Sequence, residues 1–183
     1  MGNKYAKYLR RQGKLFKIGE NCSILPSTII RDPHVRLGNK VHFSSSRHFG
    51  HDGVVGMLNH SCRVTLDKVK KIDIRDHVFV GFGAILVPGI TFGPDVHVSA
   101  GAVVTKGVQQ GDGVGGFPAE TTGKLEQVVR RLQNEIKTLE WAEIITKRER
   151  GLDPAVEGEQ PRRRQMHFYS QDSMGKLEEE VSG

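Results

Sequence analysis

A parallel β-helix of three-sided coils is the fold this sequence predicts, and two interlocked series of residues predict it. From Ile74 an aliphatic or aromatic residue recurs at every sixth position, through Val80, Leu86, Phe92 and Val98 to Val104. Four positions after each stands a second residue of inward size, at Val78, Ala84, Ile90, Val96, Ala102 and Val108. A period of six does not fit the 3.6-residue turn of an α-helix. An antiparallel sandwich would show strict two-residue alternation and hairpin dipeptides, and neither is found here. Three sixes instead close one triangular coil, and its short strands stack on the coil before at about 4.8 Å. Composition agrees, since 37% apolar residues with 7% aromatic residues and 22 glycines suit a core of aliphatic layers rather than large rings.

Each element follows in chain order. Residues 1–17 form an N-terminal cap, in which Tyr5 to Gln12 reads as a short basic amphipathic helix covering the open strand edge of the first coil. A membrane-surface role is the alternative for that helix. Residues 18–120 form the β-helix. Its first half repeats more loosely, with Ile18, Ile24 and Ile30, then a slip of one residue to Leu37, Phe43 and Phe49; Gly19, Gly38 and Gly50 follow lead residues, as Gly81 and Gly93 do later. The register is lost over residues 54–71, an insertion of the kind that emerges on the binding face of a repeat protein. Within residues 121–150, Leu125, Val128, Leu132, Ile136 and Leu139 recur at three and four, predicting an amphipathic helix from Leu125 to Lys147. Residues 151–183 are rich in Pro, Gly, Glu and Arg and are expected to be disordered, with Arg162 to Arg164 as neutral surface.

A formal charge of +6 suits an anionic partner, which can be a nucleic acid, a membrane surface or a small phosphorylated ligand. Cys22 and Cys62 stand alone with neither a paired framework nor a metal spacing, so both read as free thiols of a reducing cytoplasm. No apolar stretch is long enough for a signal core or a membrane span, and a soluble cytoplasmic protein without stable membrane insertion is expected.

The segments IDIRDHVFVGFGAILVPGITFG, VHVSAGAVVTKGV and GGFPAE resemble, in order, the hexapeptide-repeat acetyltransferases, especially the sugar O-acetyltransferases of the maltose, galactoside and capsule-biosynthesis kind. The resemblance covers about Ile18 to Ala119. It implies a left-handed parallel β-helix, a homotrimer, and acetyl-CoA as acyl donor lying between adjacent prisms. It also implies that His51, in the His-Asp-Gly of residues 51–53 ahead of the insertion, is the catalytic base. Neutral imidazole with an unperturbed pKa near 6.5 can take the acceptor hydroxyl's proton as the oxygen attacks the thioester, without an acyl-enzyme. Phe82 or Gly83 are the candidates for a backbone N–H that stabilises the oxyanion.

Two carboxylates compete to orient His51. Counting the slip, Phe49 stacks above Ile30, which sets His51 above Asp32; Asp52 is the sequence neighbour. By the resemblance, Ala100, Thr105 and Lys106 line the CoA channel with the lysine near phosphate. The family often has Lys or Arg after the closing Pro-Ala; Glu120 stands there instead, so Lys124 is the substitute. His48, Asn59 and His60 are candidate acceptor contacts, whereas His34, His42, His77 and His97 read as surface or corner residues. The acceptor is a sugar hydroxyl or, alternatively, the amine of a nucleotide-linked amino-sugar; no metal and no nucleic acid is expected. Two other functions share this fold. A zinc carbonic anhydrase needs three converging histidines, and the close two-histidine spacing is missing. A non-catalytic assembly subunit would have no reason to keep His-Asp-Gly and the insertion together.

Overall fold

The computed structural model describes residues 2–30, 32–48, 52–147, 158 and 160–169. They fall into two compact units, Met1–Val128 and Val129–Gly183. In the first unit the chain visits three parallel sheets in turn and so traces a triangular prism. One sheet holds β1 (Lys17–Ile18), β3 (Val35–Leu37), β6 (Ile72–Ile74) and β9 (Thr91–Phe92). The second holds β2 (Ser23–Ile24), β4 (His42–Phe43), β7 (Phe79–Val80), β10 (His97–Val98) and β12 (Asp112–Gly115). The third holds β5 (Arg47–His48), β8 (Ile85–Leu86) and β11 (Val103–Val104), and an isolated bridge from Ile29 to Arg47 extends it by one coil.

The lead residues of the repeat form the axis of the core. Ile74, Val80, Leu86, Phe92, Val98 and Val104 are all buried, as are Ile72, Val78, Ala84, Ile90, Val96 and Ala102, two places before them. Close stacking explains the glycines that follow lead residues. A Cβ on Gly81 would lie 2.6 Å from the Ala100 nitrogen, and one on Gly19 would lie 2.3 Å from the Gly38 oxygen. At the corner between the second and third sheets the backbone turns left-handed at Ser45, Gly83 and Gly101, with φ of 52°, 71° and 69°. His77, at φ 57°, occupies the equivalent column at the corner between the first and second sheets.

The looser first half departs from expectation at one side. Lys17 pairs with Arg36 and Ser23 with His42, nineteen residues apart as the slip requires, but Ile29 pairs with Arg47, eighteen apart. A seven-residue step from Ile30 to Leu37 is therefore cancelled by a five-residue step from Phe43 to the next inward residue. That residue is His48, not Phe49, and the stack that set His51 above Asp32 loses its basis. Phe49, Gly50 and His51 lie outside the described residues.

Helix α1 (Gly2–Gln12) caps the first coil with Gly2, Ala6 and Leu9 buried, as the basic amphipathic pattern predicts. The insertion opens with α2 (Val54–Cys62), none of whose residues is buried, and returns in extended form to β6. Its base is held where the Asp52 N–H donates to the Lys68 oxygen at 3.3 Å and the Gly89 N–H to the Lys71 oxygen at 3.1 Å. After the last coil, β13 (Glu120–Lys124) folds back antiparallel on β12, a strand the polar sequence did not signal.

The expected helix from Leu125 to Lys147 is two helices. Helix α3 (Leu125–Lys137) ends where the Thr138 hydroxyl donates to the Glu135 carbonyl at 2.8 Å and the Leu139 N–H bonds three residues back to Ile136. These local bonds replace the next helical turn. Helix α4 (Ala142–Thr146) follows. In the second unit residues 160–169 are helical where composition predicted disorder. Their His167 and Phe168 meet the buried Trp141 ring edge-on at 5.3 and 5.9 Å, and the Arg164 guanidinium sits over it at 5.7 Å.

Candidate active site

The site begins where the chain leaves the prism. Strand β5 ends at His48, and the chain is described again from Asp52, at the foot of the insertion. The expected base, His51, lies outside the described residues. Asp52 is half-buried and engaged. Its Oδ2 accepts from Lys68 Nζ at 2.5 Å and its Oδ1 from the Val54 N–H at 3.2 Å, so the carboxylate starts α2 and clamps the returning strand. Lys68 was not signalled by the sequence, because its partner is sixteen residues away across a segment with no period. Asp32 is committed elsewhere: its Oδ1 accepts the His34 N–H and faces His34 Nδ1, both at 2.8 Å.

The candidate acceptor contacts fare differently. His60 is exposed on α2. Asn59 bridges the insertion to itself, accepting the Leu66 N–H at 2.7 Å and donating to the Leu66 carbonyl at 2.9 Å, which occupies its amide. His48 does not face an acceptor at all. It is 3% exposed inside the prism, its ring 4.3 Å from that of Phe43, with Nε2 sharing a 2.8 Å hydrogen bond with the buried Ser46 hydroxyl. Among the described residues its Nδ1 has no partner. Ser46, a polar residue the six-residue pattern does not mark, occupies the place two before the lead residue that Ala84 and Ala102 fill in later coils.

Burial pushes the His48 pKa down from 6.5 to about 3, because a charged ring in the core has lost its water. The sign follows from linkage. Below pH 6.5 the unfolded chain binds a proton there that the folded chain refuses, so stability is present at neutral pH and falls as pH drops from 6.5 toward 3. Between pH 7 and pH 5 this group alone is expected to cost about 2 kcal/mol. Urea unfolding at both pH values should show that His48→Leu shrinks the loss by about that amount; an unchanged loss would refute the assignment.

The expected cofactor-lining residues lie at the two corners that bound the third sheet, Phe82, Gly83 and Ala100 before its strands and Thr105 and Lys106 after them. At the first corner Phe82 is 68% exposed, its carbonyl accepts the Gly101 N–H at 2.8 Å, and Ala100 lies directly beneath Gly81. The Gly83 N–H donates to the Ser45 carbonyl at 3.2 Å and is unavailable to an oxyanion, whereas the Phe82 N–H has no partner among the described residues. At the other corner stand Thr105 and Lys106, both exposed. Lys106 Nζ reaches both oxygens of Glu120, at 3.1 and 3.0 Å. The residue that departs from the family pattern therefore neutralises the expected phosphate contact. That pair is exposed and worth little, so an incoming phosphate can displace the carboxylate. Lys124, its side chain largely exposed, hydrogen-bonds Asp112, whose side chain is nearly buried. Between them lies a cleft of about 210 Å³ lined by Lys106, Gly107, Gln109, Asp112, Ala119 and Thr121, among others. No group of three or more His, Cys, Asp and Glu residues able to hold a metal is found among the described residues. No helix among them is long and apolar enough to cross a membrane.

No protein-family model matches the chain. A Schizosaccharomyces pombe protein, named provisionally as an acetyltransferase, is 33% identical over 116 residues, which make up 62% of this chain and 52% of that protein. The galactoside O-acetyltransferase of Lactococcus lactis is 25% identical over 160 residues, covering 72% of this chain and 74% of its own. Protein CapG of Staphylococcus aureus is 34% identical over 136 residues, covering 72% of this chain and 75% of CapG. The chain belongs to the hexapeptide-repeat acetyltransferases. It spans about half the length of the fission-yeast member and three quarters of CapG. Family membership accords with the prism of three parallel sheets and with the close stacking at Gly19 and Gly81.

Proposed function

We propose that this chain transfers the acetyl group of acetyl-CoA to a hydroxyl of a sugar or related small acceptor, with His51 as general base. The observation that carries the reading is the sequence position of the His-Asp-Gly at residues 51–53, between the last described residue of β5, His48, and α2, which opens the insertion at Val54, in a member of an acetyltransferase family. The sugar is supported by the relative that is a galactoside O-acetyltransferase.

Neutral imidazole at His51 removes the acceptor hydroxyl's proton as its oxygen attacks the thioester carbonyl. The oxyanion of the tetrahedral intermediate takes a hydrogen bond from the Phe82 N–H. When it collapses, the C–S bond breaks and the imidazolium returns its proton to the departing CoA thiolate. Asp52, the immediate sequence neighbour of His51, is the orienter proposed, because Asp32 serves His34 and the pairing of Ile29 with Arg47 sets Asp32 out of register with residue 51. Thr105 and Ala100 flank the pantetheine arm, and Lys106 exchanges Glu120 for phosphate. A left-handed coil and a homotrimer, with acetyl-CoA between neighbouring prisms, complete the reading in a cytoplasmic enzyme.

Sugars and nucleotide-linked amino-sugars, each incubated with the chain and acetyl-CoA, test it through release of free CoA thiol. Release with a sugar hydroxyl, and a product cleaved by alkaline hydroxylamine as an ester is, supports O-acetylation. An alkali-stable amide formed with the amino-sugars alone would replace it with N-acetylation.

A further inference from the structure

The chain's net charge has a single location. Lys4, Lys7, Arg10, Arg11, Lys14 and Lys17 precede the first acidic residue, Glu20; the remaining 21 Lys and Arg are matched by 21 Asp and Glu. The whole formal charge of +6 is thus the excess of the N-terminal cap. The fold sets three of those six cations on one helix face. Gly2, Ala6 and Leu9 bury one face of α1 in the first coil, and Lys4, Lys7, Tyr8 and Arg11, all exposed, form the stripe opposite. Only Arg10, off that stripe, is drawn to Glu20, at 3.2 Å.

Two aromatic rings stand among these cations. Tyr8 is 50% exposed and Phe16 73% exposed. The Phe16 backbone is tied to the first coil, its N–H donating to the Val35 carbonyl at 3.0 Å and the neighbouring Leu15 buried, while its ring is left outside. An exposed phenyl ring flanked in sequence by the exposed Lys14 and Lys17 suits a headgroup region, where rings settle at the boundary and cations meet phosphate.

We propose that this cap is a docking surface for a bilayer of anionic phospholipid. The helix lies with its underside sealed against the coil, so it offers one broad outward face to a flat partner rather than a projecting rod for a groove. The surface is separate from the site proposed above, and its test does not depend on acyl transfer.

Co-sedimentation of the full chain with vesicles decides it, comparing phosphatidylcholine alone with phosphatidylcholine mixed with phosphatidylglycerol. Binding to the mixed vesicles alone, weakening as salt is raised, is expected. The K4Q/K7Q/R11Q variant should bind on the order of 100-fold less, at about five-fold per cation removed. F16S should weaken binding while leaving its salt dependence in place. Unfolding midpoints equal to the parent's would show that these surface changes leave the fold intact, and the salt titration of the parent chain needs no variant. No binding to anionic vesicles at low salt, equal binding to neutral ones, or full binding by the triple variant would each overturn the proposal. Binding to duplex DNA or RNA without vesicle binding would assign the surface to nucleic acid instead.

Discussion

His51→Ala is expected to lower turnover in acetyl transfer by about two to four orders of magnitude while leaving the affinity for acetyl-CoA unchanged. The size of the effect follows from the acceptor. A sugar hydroxyl is a very weak acid, so its oxygen attacks a thioester at neutral pH only if its proton is taken during the attack. Alanine leaves water for that task. Cofactor affinity should persist because the residues proposed to line the channel, Ala100, Thr105 and Lys106, lie on later coils and share no described hydrogen bond with the foot of the insertion. Steady-state kinetics with calorimetric titration of acetyl-CoA separates the two quantities. Near-normal turnover would remove His51 from the mechanism, and a matching loss of acetyl-CoA affinity would point to a binding role.

Phe92→Ala is expected to destabilise the fold by roughly 3–5 kcal/mol. Phe92 is fully buried and heads the last complete coil, sharing its layer with Val98 and Val104, both smaller. The layer above is filled by Ile74, Val80 and Leu86. Neither valine can reach across the space a phenyl ring leaves, and the β9 backbone is pinned on both sides, by β6 and by the bridge to Val108. The cavity therefore stays open and its full cost is felt. For a chain of this size the unfolding midpoint should drop by on the order of 10 °C. A drop of only a degree or two would mean that the coils slide to refill the layer and that the prism is not rigidly stacked.

The prism was legible wherever burial depends on one residue type. From Ile74 to Val104 each inward position is apolar, so a six-residue count finds the core unaided. The count fails at His48 because the inward residue there is polar and the side is one residue short. Hydrophobicity favours Phe49, whereas the pairing of His48 with the lead residue Leu86, and of Ile29 with Arg47, turns His48 inward. Ser46, which satisfies one ring nitrogen of His48, is invisible for the same reason. β13 escaped notice because Glu-Thr-Thr-Gly-Lys carries no apolar period; its strand is set by pairing with β12.

The candidate site was legible as a list of residues but not as a set of partnerships. Lys106 with Glu120 and Lys124 with Asp112 both arise from the hairpin that closes the prism, and sequence distance gives no hint of either. The engagement of Asn59 with Leu66, and of Asp52 with Lys68, likewise belongs to an insertion without periodicity. The loss of the six-residue period over residues 54–71 is visible in the sequence, and there α2 (Val54–Cys62) stands between strands β5 and β6.

Mass spectrometry of the acceptor after incubation with acetyl-CoA and the full chain tests acetyl transfer most directly. A sugar that gains one acetyl group at a hydroxyl, only when chain and acetyl-CoA are both present, is the expected result. Sugars and amino-sugars all recovered unmodified, by a chain shown in the same sample to be folded and to bind acetyl-CoA, would contradict it.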